Sequence, residues 1–199
     1  MATSAPRRSR ATGRPRIWRD AKLYTIGHST RSLDDLVDML RAFGVSVLVD
    51  VRTIPRSRHN PQFNRETLGS ALPRGIRYVH LPELGGLRRP RADSPNAGWR
   101  NASFRGFADY MLTEDFESGL AKLHELGDGG TVAVMCAEAV PWRCHRSLIA
   151  DVLTARGARV EHITAERRSA PHRMTAFARV DGTRVTYPSD PKGAPHGTV

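Results

Sequence analysis

The sequence predicts an α/β fold: a single three-layer domain with a mostly parallel open sheet of about five strands, helices on both faces and a C-terminal hairpin. Three observations carry this. Short continuous runs of branched apolar residues alternate with stretches whose apolar residues recur at helical spacing. The runs near residues 26, 50 and 135 each end in a polar cluster. A chain of 199 residues, 39% of them hydrophobic, suits one domain with tails.

Residues 1–20 are rich in Arg, Ser, Ala and Pro without periodicity and read as a disordered tail. Residues 23–26 form a first strand that runs into the polar loop Gly27, His28, Ser29. Ser32 is placed to cap a helix on which Leu33, Leu36, Val37, Leu40 and Phe43 share a face, and Gly44 ends it. Residues 45–51 are an apolar run interrupted by Asp50, the pattern of a strand buried on both faces. Strand, helix and strand make a βαβ unit, for which a right-handed crossover is expected.

Residues 53–63 read as a loop, and Asn64 is placed to cap a short helix over 65–72. A third strand is expected over 76–81. Residues 82–102 hold Gly85, Gly86, Gly98, Pro90 and Pro95 and read as a long loop without internal structure, of the length that is often functional. Helices follow over 103–112 and 115–126, with Phe104, Phe107, Phe116 and Leu120 on core faces. Gly129 and Gly130 turn the chain into a strand over 131–135. A loop over 136–142 enters a helix over 143–155, ended by Gly157, and a fifth strand covers 160–163. Residues 177–180 and 184–187 flank Asp181-Gly182, a hairpin signal. Residues 189–199 read as disordered, which leaves the domain over 21–188.

The net charge is +11. Arg7, Arg8, Arg10, Arg14, Arg16 and Arg19 against Asp20 give the tail a surplus of five, so about six remain in the rest of the chain. That remainder favours a small anionic ligand. The tail suits a salt-sensitive nucleic-acid tether or a merely solvated segment. No apolar run approaches the roughly 20 residues of a membrane span. No apolar stretch follows the N-terminal arginines, so no secretory signal is read. With only Cys136 and Cys144, free thiols in a reducing, cytoplasmic setting are expected, with no membrane partner.

In an open parallel sheet the carboxyl ends of the strands share one edge, and ligands bind there. The three polar clusters are therefore expected to meet. Asp50, a carboxylate among Val and Leu, needs a partner. Arg52 leaves the strand on the same face two residues on. The segment from Cys136 through Glu138 to Arg143, Cys144, His145 and Arg146 ends a strand and opens a helix, whose amino end attracts anions and acidifies thiols. The candidate catalytic residues are Cys136, Glu138, His145 and Asp50. The candidate substrate-binding residues are His28, Ser29, Arg52, Arg56, Arg143 and Arg146.

Six residues separate Cys136 from Arg143, one more than a cysteine-phosphatase loop holds, and its glycine is missing. Cys136, Cys144, His145 and His28 have the donor types of zinc ligands, but the spacing is not that of a zinc finger and no metal is assigned. The cofactor and the oligomeric state are not legible.

Taken together, the pieces Thr25 to Ser29, Asp50-Val-Arg52, Arg56-Ser57, Leu84-Gly-Gly86, Phe107 with Tyr110, and Cys136-Ala-Glu138 with Cys144-His-Arg146 resemble the family labelled domain of unknown function 488. The resemblance runs over about 22–165. It implies a compact cytoplasmic α/β protein and carries no settled activity. Three functions stay open: an enzyme acting on a phosphate-bearing, nucleotide-like substrate, a non-catalytic nucleotide-sensing module, and a nucleic-acid-associated protein. In the first, Cys136 is nucleophile or ligand contact, Glu138 or His145 the acid/base, and Arg52, Arg143 and Arg146 the anion clamp.

Overall fold

A computed structural model describes residues 18, 19 and 21–189 of the chain. Its first strand, β1 (Lys22–Gly27), is followed by helix α1 (Leu33–Ala42) and β2 (Val47–Asp50). Helix α2 (Arg65–Ala71), β3 (Arg77–His80), α3 (Ala102–Tyr110), α4 (Glu114–Asp128) and β4 (Val132–Cys136) come next. Helix α5 (Arg146–Ala155) leads to β5 (Arg159–Ala165) and β6 (Arg168–Pro171), and β7 (Arg179–Asp181) pairs with β8 (Arg184–Thr186) as the C-terminal hairpin.

The main sheet has the order β3-β2-β4-β1-β5-β6. Its first five strands are parallel and β6 is an antiparallel edge. Side chains of a strand alternate between faces, and the two cores follow that alternation. Val47, Val49, Val132 and Val134 pack with α3, α4 and α5, while Leu48, Ala133 and Met135 pack with α1 and α2. The result is the expected three layers.

Both strands of the first βαβ unit are present, but they are not neighbours. Strand β4 lies between β1 and β2. The helix leaving β1 packs on one face and the helix leaving β4 on the other, so a topological switch lies between these strands at their carboxyl edge. The ladder continues past the strand ends on both sides of β4. Val51 donates to the Met135 carbonyl at 3.0 Å, and His28 and Ser29 donate to those of Cys136 and Ala137 at 3.0 and 2.8 Å. The first polar residues after three strands are therefore held in fixed register.

Ser32 caps α1 as expected, in a capping box with Asp35. Several expectations need correction. Asn64 stands at the start of α2 but makes no cap; its Oδ1 accepts from the Ser57 amide at 2.6 Å and so closes the 53–63 loop. The helix expected from 143 begins at Arg146, because Pro141–Arg143 forms a 3-10 turn first. Strand β6 was not expected, since Arg168–Pro171 is mostly exposed and has no apolar alternation; backbone pairing with β5 makes it a strand.

The 82–102 loop is more structured than its composition suggests. Pro82–Leu84 is a 3-10 turn. Asp109 of α3, almost fully buried, accepts from the Arg91 amide, the Ser94 hydroxyl and the Asn96 side chain. Arg88 lies 3.6 Å from the Tyr110 ring centroid. The loop is thus pinned onto α3.

The described residues also begin inside the segment read as a tail. Trp18 is buried in the core, and its amide donates to the Arg156 carbonyl at 2.8 Å. The remaining arginines of that segment, apart from exposed Arg19, lie outside the described residues, as do residues 190–199. Among the described residues, no helix is long and apolar enough to cross a membrane.

Candidate functional site

A cavity of about 630 Å³ opens at the carboxyl edge of β1, β2 and β4. Its floor is Cys136, Cys144 and His145, its walls include His28, Ser29 and Arg52, and Arg56 and Arg143 stand exposed at its rim. Glu138 lines it as well. The three sequence-distant clusters therefore meet, as the strand-end argument required.

The wall begins with Asp50. This carboxylate is fully buried at the end of β2 and accepts from the Arg52 amide at 3.0 Å. The Arg52 guanidinium binds it through Nε at 2.9 Å and Nη2 at 2.6 Å, and Tyr78 donates its hydroxyl at 2.8 Å. The Tyr78 hydroxyl is held well above its usual range, first by burial and then by the Asp50 charge. Asp50 does not line the cavity; it acts by aiming Arg52. That guanidinium has five N–H groups. Nε and one Nη2 hydrogen go to Asp50, the other Nη2 hydrogen to the Phe63 carbonyl, and one Nη1 hydrogen to His28 Nε2. One Nη1 hydrogen is left for a ligand.

The same count fixes His28. Its Nε2 accepts from Arg52 at 3.1 Å, so the ring proton sits on Nδ1 and is donated to the Ser29 carbonyl at 2.8 Å. Burial lowers the pKa of His28 to about 4, and the Arg52 charge adds to this. With both nitrogens engaged, His28 is a neutral wall rather than a base. Ser29 takes the left-handed conformation, with φ of 53°, where the chain turns away from β1.

Glycine makes two close approaches possible. A Cβ on Gly27 would lie 1.9 Å from the Glu138 carbonyl oxygen, so only glycine lets the loop after β4 cross the end of β1. A Cβ on Gly86 would lie 2.5 Å from His145 Nδ1, so only glycine lets the 82–102 loop cover the imidazole. Phe107 packs on the same ring, with centroids 4.9 Å apart.

On the floor, His145 Nδ1 lies 3.7 Å from the Cys144 sulfur and 3.9 Å from that of Cys136. The two thiols titrate as a pair. The hydrogen bond with Cys144 and then burial push Cys136 up. The hydrogen bond from Cys136 draws Cys144 down, helped by His145 and Arg146. Sequence reasoning singled out Cys136; the structure sets Cys144 beside it on the cavity floor, and within the pair Cys144 is the member drawn down. The signal for it was present, since Cys144 directly precedes His145 at the start of α5. Both thiols are free, and these three residues are the group positioned to hold a metal among the described residues.

Arg146, like Asp50, is a predicted site residue that the fold keeps out of the cavity lining. Its side chain is 1% exposed and points into the protein, donating to Thr25 Oγ1 at 3.2 Å and to the Glu138 carbonyl at 2.5 Å. It fixes the loop that carries Glu138 and does not line the cavity.

Three backbone amides of the loop after β4 are committed too. Val140 donates to Glu138 Oε1, Arg143 to the Val140 carbonyl and Cys144 to that of Pro141, while Pro141 has no amide proton. These engaged amides, with Pro141, interrupt the run of donors that a phosphatase-type cradle would need. Ser147 and Leu148 donate to the Cys144 and His145 carbonyls, so the amino end of α5 offers less than an unengaged helix start. The cationic side chains that line the cavity are those of Arg52, Arg56 and Arg143. Sequence reasoning missed the apolar rim, Ile54, Leu87 and Phe104, because nothing in the spacing of loop residues tells which of them will face a cavity.

The family model described as domain of unknown function DUF488 matches residues 32–153. Its matched region takes in Asp50, Arg52 and the whole segment from Cys136 to Arg146. No curated protein and no solved structure matches the chain.

Proposed function

As the chain belongs to the DUF488 family, whose description assigns no function, we propose from its site that it binds a small anionic substrate and acts on it. A nucleotide-like phosphate ester is the preferred class. The observation that carries this is the facing of Arg52, Arg56 and Arg143 across one cavity from the Cys136, Cys144 and His145 floor. Guanidinium forks match phosphate and carboxylate oxygens. The rim adds Ile54 and Leu87, 64% and 71% exposed, which suit an apolar or planar portion such as a base. Arg52 supplies an aimed donor, Arg56 and Arg143 supply further donors at the rim, and Glu138 or His145 serves as the acid/base.

Titration of the full chain with inorganic phosphate and with adenosine monophosphate, followed by calorimetry at low salt, tests the reading. Saturable binding is expected, about tenfold or more weaker in the Arg56→Ala/Arg143→Ala variant, because a hydrogen bond to a charged group contributes about 1.5–3 kcal/mol. Equal affinity in wild type and variant, or no saturable binding of either ligand, overturns it.

Non-catalytic sensing is the second reading, favoured by the burial of both thiols, which disfavours the thiolate form. Under it, Cys136→Ser leaves affinity unchanged and no turnover is found. Nucleic-acid association through the N-terminal arginines is a separate idea. The deletion that tests it is residues 1–17, since Trp18 belongs to the core. Loss of salt dependence on that deletion is the expected sign.

A further inference from the structure

We propose that Cys136, Cys144 and His145 form a tetrahedral site for a thiophilic divalent metal, zinc(II) by fit, through two thiolates and the imidazole Nδ1, with the fourth position open to the cavity. The inference stands on the geometry of this cluster and does not depend on anion binding.

The two nitrogen–sulfur distances are close to those a zinc ion requires. Zinc–sulfur bonds of about 2.3 Å and zinc–nitrogen bonds of about 2.0–2.1 Å, at tetrahedral angles, put sulfur and nitrogen about 3.6 Å apart and the two sulfurs about 3.8 Å apart. His145 Nδ1 lies 3.7 Å from one sulfur and 3.9 Å from the other. All three donor atoms lie within 4.8 Å of one another. Shifts of a few tenths of an ångström on the nitrogen edges close the triangle around an ion.

A hydrogen-bonded triad explains this arrangement less well. A single Nδ1–H points at one acceptor, yet the nitrogen sits between two sulfurs at nearly equal range. The donors also come from anchored elements: Cys136 ends β4, Cys144 closes the 3-10 turn, and His145 stands at the first residue before α5. Gly86 and Phe107 hold the imidazole in place.

The donor set selects the ion. Two sulfurs and one nitrogen exclude magnesium and calcium, which take oxygen ligands, and fall short of the four cysteines of an iron–sulfur cluster. Three protein ligands are one fewer than a structural zinc site has and equal to the number in catalytic ones. His28 does not complete the set, because both its nitrogens are engaged by Arg52 and Ser29. The open position therefore faces the cavity that Arg52 and Arg143 also line, where a water or an oxygen of an anionic ligand completes the coordination.

Cobalt(II) titration of the full chain tests this, after chelator treatment and with both thiols confirmed reduced by thiol titration. The expected result is saturation at one equivalent, with the strong visible absorption of tetrahedral cobalt and a thiolate charge-transfer band, both abolished by zinc(II). Cys144→Ser should lower the charge-transfer intensity by about half and weaken binding by more than the roughly 10–100-fold loss typical of outer-shell changes. Cys136→Ser should do the same, and circular dichroism verifies that each variant is folded. Three outcomes overturn the site: weak octahedral absorption in the reduced full chain, an unchanged spectrum in the Cys136→Ser/Cys144→Ser variant, or no metal uptake together with ready conversion of the two thiols into a disulfide on oxidation.

Discussion

Two fully buried aspartates organise opposite sides of the sheet edge, and they differ in what they hold. Asp50, at the end of β2, is paired with a guanidinium and a tyrosine hydroxyl, and through Arg52 it reaches the cavity. Asp151, inside α5, accepts from His172 Nε2, from the Thr175 amide and hydroxyl, and from the Tyr187 hydroxyl, at 2.7–2.9 Å. The first carboxylate aims a guanidinium that lines the cavity. The second ties the segment after β6 and the end of the C-terminal hairpin onto the domain. A buried charge is costly in either place, so burial alone does not mark a functional residue; the partner does. Tyr187 adds that its hydroxyl is pushed well above the usual range, chiefly by burial and then by Asp151, so it stays a donor.

The two clusters also end on equivalent histidines. His28 beside Arg52 and His162 beside His172 both have pKa values lowered to about 4, burial being the main cause in each. His162 in turn meets Thr25 Oγ1 at 2.7 Å, and Thr25 accepts from Arg146. The Asp151 cluster is thereby joined to the wall behind Glu138.

The largest effect separating the clusters should come from Asp50→Ala. Removing one partner of a buried pair costs about 3–5 kcal/mol, and phosphate affinity should fall with stability because Arg52 is no longer aimed. Urea denaturation and calorimetry measure the two losses, and unchanged affinity in folded protein would break the assignment. Asp151→Ala should cost on the order of 3 kcal/mol, from several donors left unsatisfied, while folded protein keeps its phosphate affinity. A parallel loss of binding would mean the clusters do one job.

Acid sharpens the comparison next. Both histidines are neutral in the fold and protonate near pH 6.5 when unfolded, so the unfolded chain binds more protons between about 6.5 and 4. Stability should be full above about pH 6.5 and fall as pH drops toward 4, by up to ~3 kcal/mol for each histidine. His28→Asn and His162→Asn should each remove part of that slope in urea melts across this range. A slope untouched by either variant would dissociate the histidines from it. The smallest effect is expected for Tyr187→Phe, about 1.5–3 kcal/mol for one hydrogen bond to a charged acceptor, with the cavity unaffected.

What the sequence by itself determined was the order of elements and the convergence of polar clusters. Parallel strands buried on both faces write themselves as continuous apolar runs, and their carboxyl ends must share an edge. Asp50 and Arg52 were legible for a local reason, since alternation puts residues two apart on one face. Only the tertiary structure decided which arginine reaches the cavity. Strand β4 inserts between β1 and β2, the loop after it crosses Gly27, and Arg146 is drawn inward to hold the Glu138 carbonyl while Arg143 stays at the cavity rim. The 3-10 turn that delays α5, the pairing that makes β6 a strand and the nearness of Cys144 to Cys136 are of the same kind. These three are close in sequence, yet none follows a hydrophobic period: a turn and an exposed hairpin are made by backbone hydrogen bonds, which apolar spacing does not encode.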